Sequence, residues 1–273
     1  MERCPTVSGE IDAGEVVVAP DDFELLECLS IGPRAELWRA IDCLTACEVV
    51  IKILERGRVV DGAGAAITRA GHPNIVRVLS HGTIDDGRAY VALERVEGVQ
   101  LRRMVAGLPL RDARPILAEL AHALAFAHAL GIAHGALSPE HIMLAAADDE
   151  HWCAVRLLGF GTCMPDPLYA APEQLCGERA DARSDVFALA ALAVEMLTGV
   201  GPFSSLSVSP QGALEHRLAG MIPLIALPAD LTHLRPILSR ALRSGDRPTL
   251  DELASALTGE RLARGSAQLM VPR

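Results

Sequence analysis

Apolar residues change their spacing a little more than a third of the way along the chain. Before residue 100 they come in short alternating or β-branched runs at 23–29, 37–41 and 48–54, with a turn around Leu44-Thr45-Ala46 before the last of these. Residues 16–18 (three valines ahead of Pro20), 75–79 and 89–93 read as three further strands. From Pro109 the period becomes helical. Ile116, Leu117, Leu120, Ala123, Leu124 and Ala127 recur at three- and four-residue steps, which predicts a helix ending near Gly131. The run 186–197 is almost wholly apolar and is expected to form a buried helix. Segments 234–242 and 250–257 continue the helical part, and the residues from Arg261 onward read as a loose tail. Strands first and helices later describe an α+β chain.

Composition narrows the function classes. With 273 residues, half of them hydrophobic, the chain can bury a core as one large domain or two lobes. A formal charge of −10 argues against a nucleic-acid or anionic-membrane partner, which a basic stripe would serve. No run approaches the ~18 apolar residues of a transmembrane helix, and the start of the chain is acidic rather than a hydrophobic leader. Seven scattered cysteines do not form a small disulfide framework. These features lead to the expectation of a reducing, cytoplasmic setting. Lys52 is the only lysine and Asn74 the only asparagine. A G-K-[ST] phosphate loop is therefore excluded, because Lys52 follows Ile51.

Several short motifs then occur in one order: Val49-Val50-Ile51-Lys52, His72-Pro73-Asn74-Ile75-Val76, the loop 134–144, Leu157-Leu158-Gly159-Phe160-Gly161, Ala171-Pro172-Glu173, Ser184-Asp185-Val186 and Asp246-Arg247-Pro248. On these motifs the chain resembles the protein-kinase catalytic domain, most closely the bacterial Ser/Thr kinases of eukaryotic type, over residues 21–258. The resemblance implies a bilobal α+β fold. Its parts would be an N-terminal extension (1–20), a small β-rich lobe (21–94), a helical large lobe (95–260) and a tail (261–273).

At the positions that carry the family's chemistry the residues differ. The family's H-R-D-L-K-P-E-N loop supplies a base and a magnesium-binding asparagine, and here it reads His134-Gly135-Ala136-Leu137-Ser138-Pro139-Glu140-His141. Ala136 stands for the base, Ser138 for the lysine and His141 for the asparagine. Gly159 stands for the aspartate of D-F-G, and Ala63 for the glutamate that would pair with the lysine. The glycine-rich phosphate loop reads Ser30-Ile31-Gly32-Pro33-Arg34-Ala35, in which Pro33 has no N–H. A positioned base is worth ~10²–10⁴ in rate, and metal ions add several kcal/mol of charge stabilisation. The resemblance therefore implies a pseudokinase, without magnesium and without phosphoryl transfer by the family mechanism.

The family's structural positions are filled. By resemblance, Ile67, Val78, His134 and Phe160 form an apolar column, Asp185 accepts backbone N–H bonds from the loop around His134, and Glu173 pairs with Arg247. Lys52, Gly32, Val50 and Glu94 are where ATP or ADP would be met, if bound without magnesium. Lys52 alternatively pairs with an acid such as Glu55 or Asp61. The segment 161–171 is short, with Thr162 and Tyr169 its hydroxyls, which argues against peptide docking and phosphoregulation there.

Other candidates read as structural. Cys43 and Cys47 flank a turn as a possible redox pair or half a metal site, but two thiols do not make a zinc site. His122, His128 and His134 are six residues apart and share no helical face. Asp148-Asp149-Glu150 reads as a solvated hairpin turn, and Arg34 sits at the tip of the altered loop. Three functions remain: a scaffold or allosteric partner binding an active Ser/Thr kinase or its client, a nucleotide-responsive binding module, and an unorthodox transferase.

Overall fold

The computed structural model describes residues 20–60, 62–105, 108–146, 152–201, 203 and 227–258. The expected strand at 16–18, the Asp148-Asp149-Glu150 turn and the tail lie outside them. The chain divides into two compact units, Met1–Gly98 and Val99–Arg273, whereas the boundary expected from the sequence fell at residues 94/95. Glu94, the last residue of the expected small lobe, closes a strand of the first unit and bonds Arg77.

The first unit is a five-stranded antiparallel sheet of order β1-β2-β3-β5-β4. Its strands are β1 (Phe23–Ile31), β2 (Ala35–Asp42), β3 (Glu48–Leu54), β4 (Val78–Thr83) and β5 (Ala89–Glu94). Alternation along β3 sends Val49, Ile51 and Ile53 into a core with Phe23, Leu25, Trp38, Ala40 and Tyr90. Val50 and Lys52 occupy the other face, half-buried. The strand expected at 75–79 starts later. Ile75 and Val76 are buried, but Pro73 and the Ile75 N–H bond to His72 O (3.1 Å) hold them in a turn ahead of β4. The helix α1 (Ala63–Ala70) carries no carboxylate in its first turn.

The second unit is mainly helical, with a small sheet of order β6-β7-β8. β6 (Gly98–Gln100) leads towards α2 (Leu110–Ala129), and the hairpin strands β7 (Ile142–Ala146) and β8 (Trp152–Leu157) follow it. The short α3 (Pro172–Leu175) precedes α4 (Ala182–Thr198), whose residues from Ser184 to Leu197 are all buried. Asp181 caps α4 by accepting the N–H groups of Arg183 (2.8 Å) and Ser184 (3.0 Å), and Gly199 ends it at φ +72°. The helix expected at 234–242 forms as α5 (Arg235–Ala241), directly after a 3₁₀ turn (Ala229–Leu234). Pro236 has no N–H and suits only a first turn, so α5 begins beside it. In α6 (Leu250–Thr258), Thr249 accepts from Glu252 N–H (3.1 Å) while the Glu252 carboxylate accepts from Thr249 N–H (3.0 Å), a reciprocal cap. α2 packs against both α4 and α6.

Candidate functional site

In the first unit, Gly32 N–H donates to Ala35 O (3.0 Å), closing β1 and β2 into a tight hairpin with Pro33 and Arg34 at its tip. Arg34 O accepts from Glu55 N–H (3.0 Å). The loop's hydrogen bonds therefore run inward. A Cβ at Gly32 would lie 3.6 Å from Ala35 O, an ordinary contact, so the space itself does not require a glycine there. Beside the hairpin, Glu36 accepts from Trp38 Nε1 (3.1 Å) and pairs with Arg88, which also holds Asp86 (2.7 Å). Burial pushes the Asp86 carboxyl up, but the Arg88 contacts outweigh it and the net direction is down.

Lys52 pairs across the sheet with Leu37 on one side and Val91 on the other. Val50, in register with Arg39 and Leu93, is half-buried. Ala63 opens α1, and no side chain of that helix is acidic. Ile67 is buried, and Val78 N–H donates to Thr68 Oγ1 at 2.8 Å, which ties β4 to α1. The Glu94 carboxylate accepts from the Arg77 backbone N–H (3.0 Å) and from Arg77 Nε (2.8 Å).

In the second unit one carboxylate organises the loop after α2. Asp185, 1% exposed, accepts from His134 N–H and Gly135 N–H, both at 2.8 Å, and from His128 Nε2 at 2.7 Å. His134 accepts from Ala136 N–H at Nδ1 (3.2 Å), so Nε2 carries the proton donated to Leu158 O (2.8 Å). Its ring meets Phe160 edge-on at 4.6 Å. Gly135 is held at φ +72°, and a Cβ there would lie 2.9 Å from Ala180 Cβ. A side chain at this position would be strained and crowded at once.

Ala136 and Ser138 are buried. The His141 Nδ1 proton goes to Ala136 O (2.7 Å), with Ser138 Oγ 3.2 Å away. Gly159 sits at φ +101°. A Cβ at Gly159 would lie 2.6 Å from Cys163 Sγ and 3.2 Å from His141 Cδ2. The space a side chain would enter at 159 is therefore taken by a thiol and an imidazole. Among the described residues no group of three or more His, Cys, Asp or Glu side chains is placed to hold a metal ion.

Glu173 and Arg247 meet through two bonds, Nη1 to Oε1 (2.5 Å) and Nη2 to Oε2 (2.8 Å). The guanidinium also donates to Arg243 O (2.9 Å) and Arg183 O (3.0 Å) and lies over the Phe187 ring. Ser184 Oγ donates to Glu173 Oε1 at 3.0 Å. Burial raises the Glu173 carboxyl, but the Arg247 bonds dominate and hold it below its ordinary range.

Two features escape a reading of the motifs. The first is a buried network in which Tyr169 donates to Glu195, while Arg102 donates to Glu195 Oε1 (3.0 Å) and to the Tyr169 hydroxyl (2.5 Å). Burial first, and the bond to Glu195 second, push the Tyr169 phenol well up. A lone glutamate in an apolar helix was the available signal, because a buried charge needs a partner. The second is Cys163 against Gly159, which no sequence spacing announces. Cys43 is disulfide-bonded, while Cys47 is an exposed free thiol, so the two do not form a pair.

Comparison with known proteins gives consistent results. The model of the protein kinase domain matches residues 23–241. The serine/threonine-protein kinase PknB of Mycobacterium leprae is 30% identical over 227 residues, covering 71% of this chain and 36% of that protein. The serine/threonine-protein kinase pkn3 of Myxococcus xanthus is 30% identical over 203 residues, covering 64% of this chain and 37% of that protein. The chain thus spans little more than a third of the length of these curated relatives. Among solved structures, a double mutant of the Mycobacterium tuberculosis PknI kinase domain superposes with a TM-score of 0.68 at 25% identity. That match covers 87% of this chain and 95% of that one. Among the described residues no helix is long and apolar enough to cross a membrane.

Proposed function

The chain belongs to the protein kinase domain family, and we propose that within it this protein is a catalytically silent member that acts by binding another protein. It is a kinase-fold protein related to Ser/Thr kinases, and its partner is an active Ser/Thr kinase or a client of one, by family analogy. The observation that carries this reading is at Gly159. The family places there a carboxylate that holds magnesium between the phosphates. Here the side chain's place is occupied by Cys163 Sγ, 2.6 Å from where a Cβ would stand. Ala136, Ser138 and His141 support the same reading, because none offers a carboxylate to accept a hydroxyl proton or to ligate a hard cation. The test is transfer of labelled phosphate from ATP with magnesium, to the chain itself and to a generic basic protein. No incorporation above a heat-denatured control is expected, and stoichiometric labelling would overturn the reading.

A nucleotide-responsive module remains the second reading, favoured by Lys52, the chain's single lysine, in the middle of β3. The inward bonds of the hairpin at Gly32 weigh against it, since the family's loop offers its N–H groups to phosphates. A thermal shift with ATP, with and without magnesium, separates the two readings. A flat response in both supports the first, and a rise independent of magnesium supports the second.

A further inference from the structure

A cavity of about 890 Å³ lies between the end of α2, the start of α4 and the segment that leads into α6. Its apolar lining is Ala125, Ala129, Ala182, Val186 and Leu250, of which Ala129 and Ala182 are exposed. Most of these side chains are short, so the space between the helices stays unfilled. The size falls within the range of small-ligand and side-chain pockets.

The charges around it divide unequally. Two arginines and a histidine line the cavity, and each has an acceptor of its own. Arg247 is held by Glu173 (2.8 Å at Nη2), His128 by Asp185 (2.7 Å), and Arg183 donates to Gly245 O. The two carboxylates are placed differently. Asp246 and Asp251 are exposed at the cavity, and among the described residues neither makes an ion pair. Nearby Glu252, in contrast, is committed to Arg240 and to the Thr249 N–H (3.0 Å). The cavity therefore combines an apolar lining with two carboxylates that make no ion pair among the described residues and one arginine, Arg183, whose acceptor is a neutral carbonyl, which leaves a net negative charge.

We propose that this cavity is a docking site for an arginine-bearing segment of a partner protein. Arginine suits both parts: its apolar stem covers alanine and leucine surface, and its planar head meets a carboxylate. Lysine has the charge without the fork, and an acidic or purely apolar segment leaves Asp246 and Asp251 unmatched. The inference rests on the protein-binding reading above. Its test, however, reads peptide binding alone and gives its answer whether or not the chain transfers phosphate.

The test uses the full chain and a fluorescein-labelled Leu-Arg-Ala-Arg-Leu peptide, followed by anisotropy, with Leu-Glu-Ala-Glu-Leu as its counterpart. The arginine peptide binds and the glutamate peptide does not, and raising NaCl from about 50 to 300 mM weakens the complex. Asp246→Asn and Asp251→Asn each weaken binding about three- to fivefold, the range of a rim ion pair. Ala129→Leu, which adds bulk to the apolar lining and leaves both carboxylates in place, weakens it too. Melting temperatures are compared with wild type so that any loss of binding is read on folded protein. No binding of the arginine peptide, equal binding of the two peptides, or wild-type affinity in the Asn variants overturns the proposal. A concentration-dependent dimer that Asp251→Asn dissolves also overturns it, by placing a second copy of the chain there.

Discussion

Two neighbouring regions of the helical unit use polar side chains in opposite ways. Around α4, each of three buried or half-buried carboxylates is fully engaged. Asp185 holds two backbone N–H groups and a histidine, Glu173 holds a guanidinium and a hydroxyl, and Glu195 holds Arg102 and Tyr169. In the loop and turn that Asp185 supports, the side chains at 136, 138, 141 and 159 are a methyl, a hydroxyl, an imidazole tied to a carbonyl, and nothing. Charge is present where it fixes backbone and absent where the family's reaction would meet a cation. A fold can therefore keep its internal electrostatics while its reactive surface changes. The two regions are coupled through backbone, since Asp185 bonds the same loop that carries Ala136.

The largest effect is expected from breaking the first region at Arg247. Arg247→Ala leaves Glu173 charged and partly buried, which costs ~3–5 kcal/mol. For a chain of this size that lowers the melting temperature by roughly 6–20 °C, and an unchanged thermal transition would show the pair to be idle. The same pair sets a pH dependence. Because the folded Glu173 carboxyl lies below its unfolded value, its contribution is complete above about pH 4.3, the ordinary glutamate value. It is lost as pH falls through the lower, folded value. Thermal melts in Glu173→Gln lose that acid-limb component, and an identical acid limb in variant and wild type would contradict the assignment.

A smaller loss is expected at Asp185. Asp185→Asn keeps one acceptor oxygen but turns the other into a donor facing N–H groups of the loop. The expected cost is ~1.5–3 kcal/mol, the range for hydrogen bonds to a charged group. Hydrogen exchange should speed up at His134 and Gly135 before it changes in the first unit. Uniform acceleration across both units would show that Asp185 supports the whole chain rather than this loop.

How much of this was legible in the sequence follows from the scale of each feature. β3 and the buried α4 follow from periodicity, because one face of a strand or all faces of a helix are apolar over many residues. β4 was displaced by three residues because Ile75 and Val76 are buried without forming a continuous strand, Ile75 making only an isolated bridge, and burial alone does not distinguish a turn from a strand. The Glu173–Arg247 bond joins motifs 74 positions apart, a distance that no local pattern bridges. It became visible only through resemblance to the family. The hairpin at Gly32 and the thiol against Gly159 depend on single interatomic distances, which residue type does not encode.

The second region is probed by trying to refill it. A variant carrying Ala136→Asp, His141→Asn and Gly159→Asp restores three of the family's five missing groups, yet phosphate transfer is expected to stay at background. At Gly159 a new Cβ would press on Cys163 Sγ at 2.6 Å, and overpacking of this kind costs ~1–3 kcal/mol. The single substitution Gly159→Asp is therefore expected to lower stability relative to wild type, and adding Cys163→Ala should recover part of the loss. Full stability of Gly159→Asp on its own would show that the turn yields freely and that the thiol is no obstacle.

The smallest effect is expected where charges are plentiful but exposed. Across β1, β2 and β3 Arg39 bonds Glu27 (3.2 Å) and Glu48 (3.1 Å), and Glu48 also meets Arg95. The side chains of this ladder are 30% to 59% exposed. Water already solvates such groups, and ordering long side chains offsets most of the Coulomb gain. Glu48→Gln is therefore expected to cost no more than about 1 kcal/mol, despite touching two arginines, and about 0.5 M NaCl should screen much of that cost. Arg247→Ala should keep its full cost in the same salt, because the guanidinium it removes is only 2% exposed. If salt erased both effects alike, burial would not be what separates the frame around α4 from the ladder on the sheet.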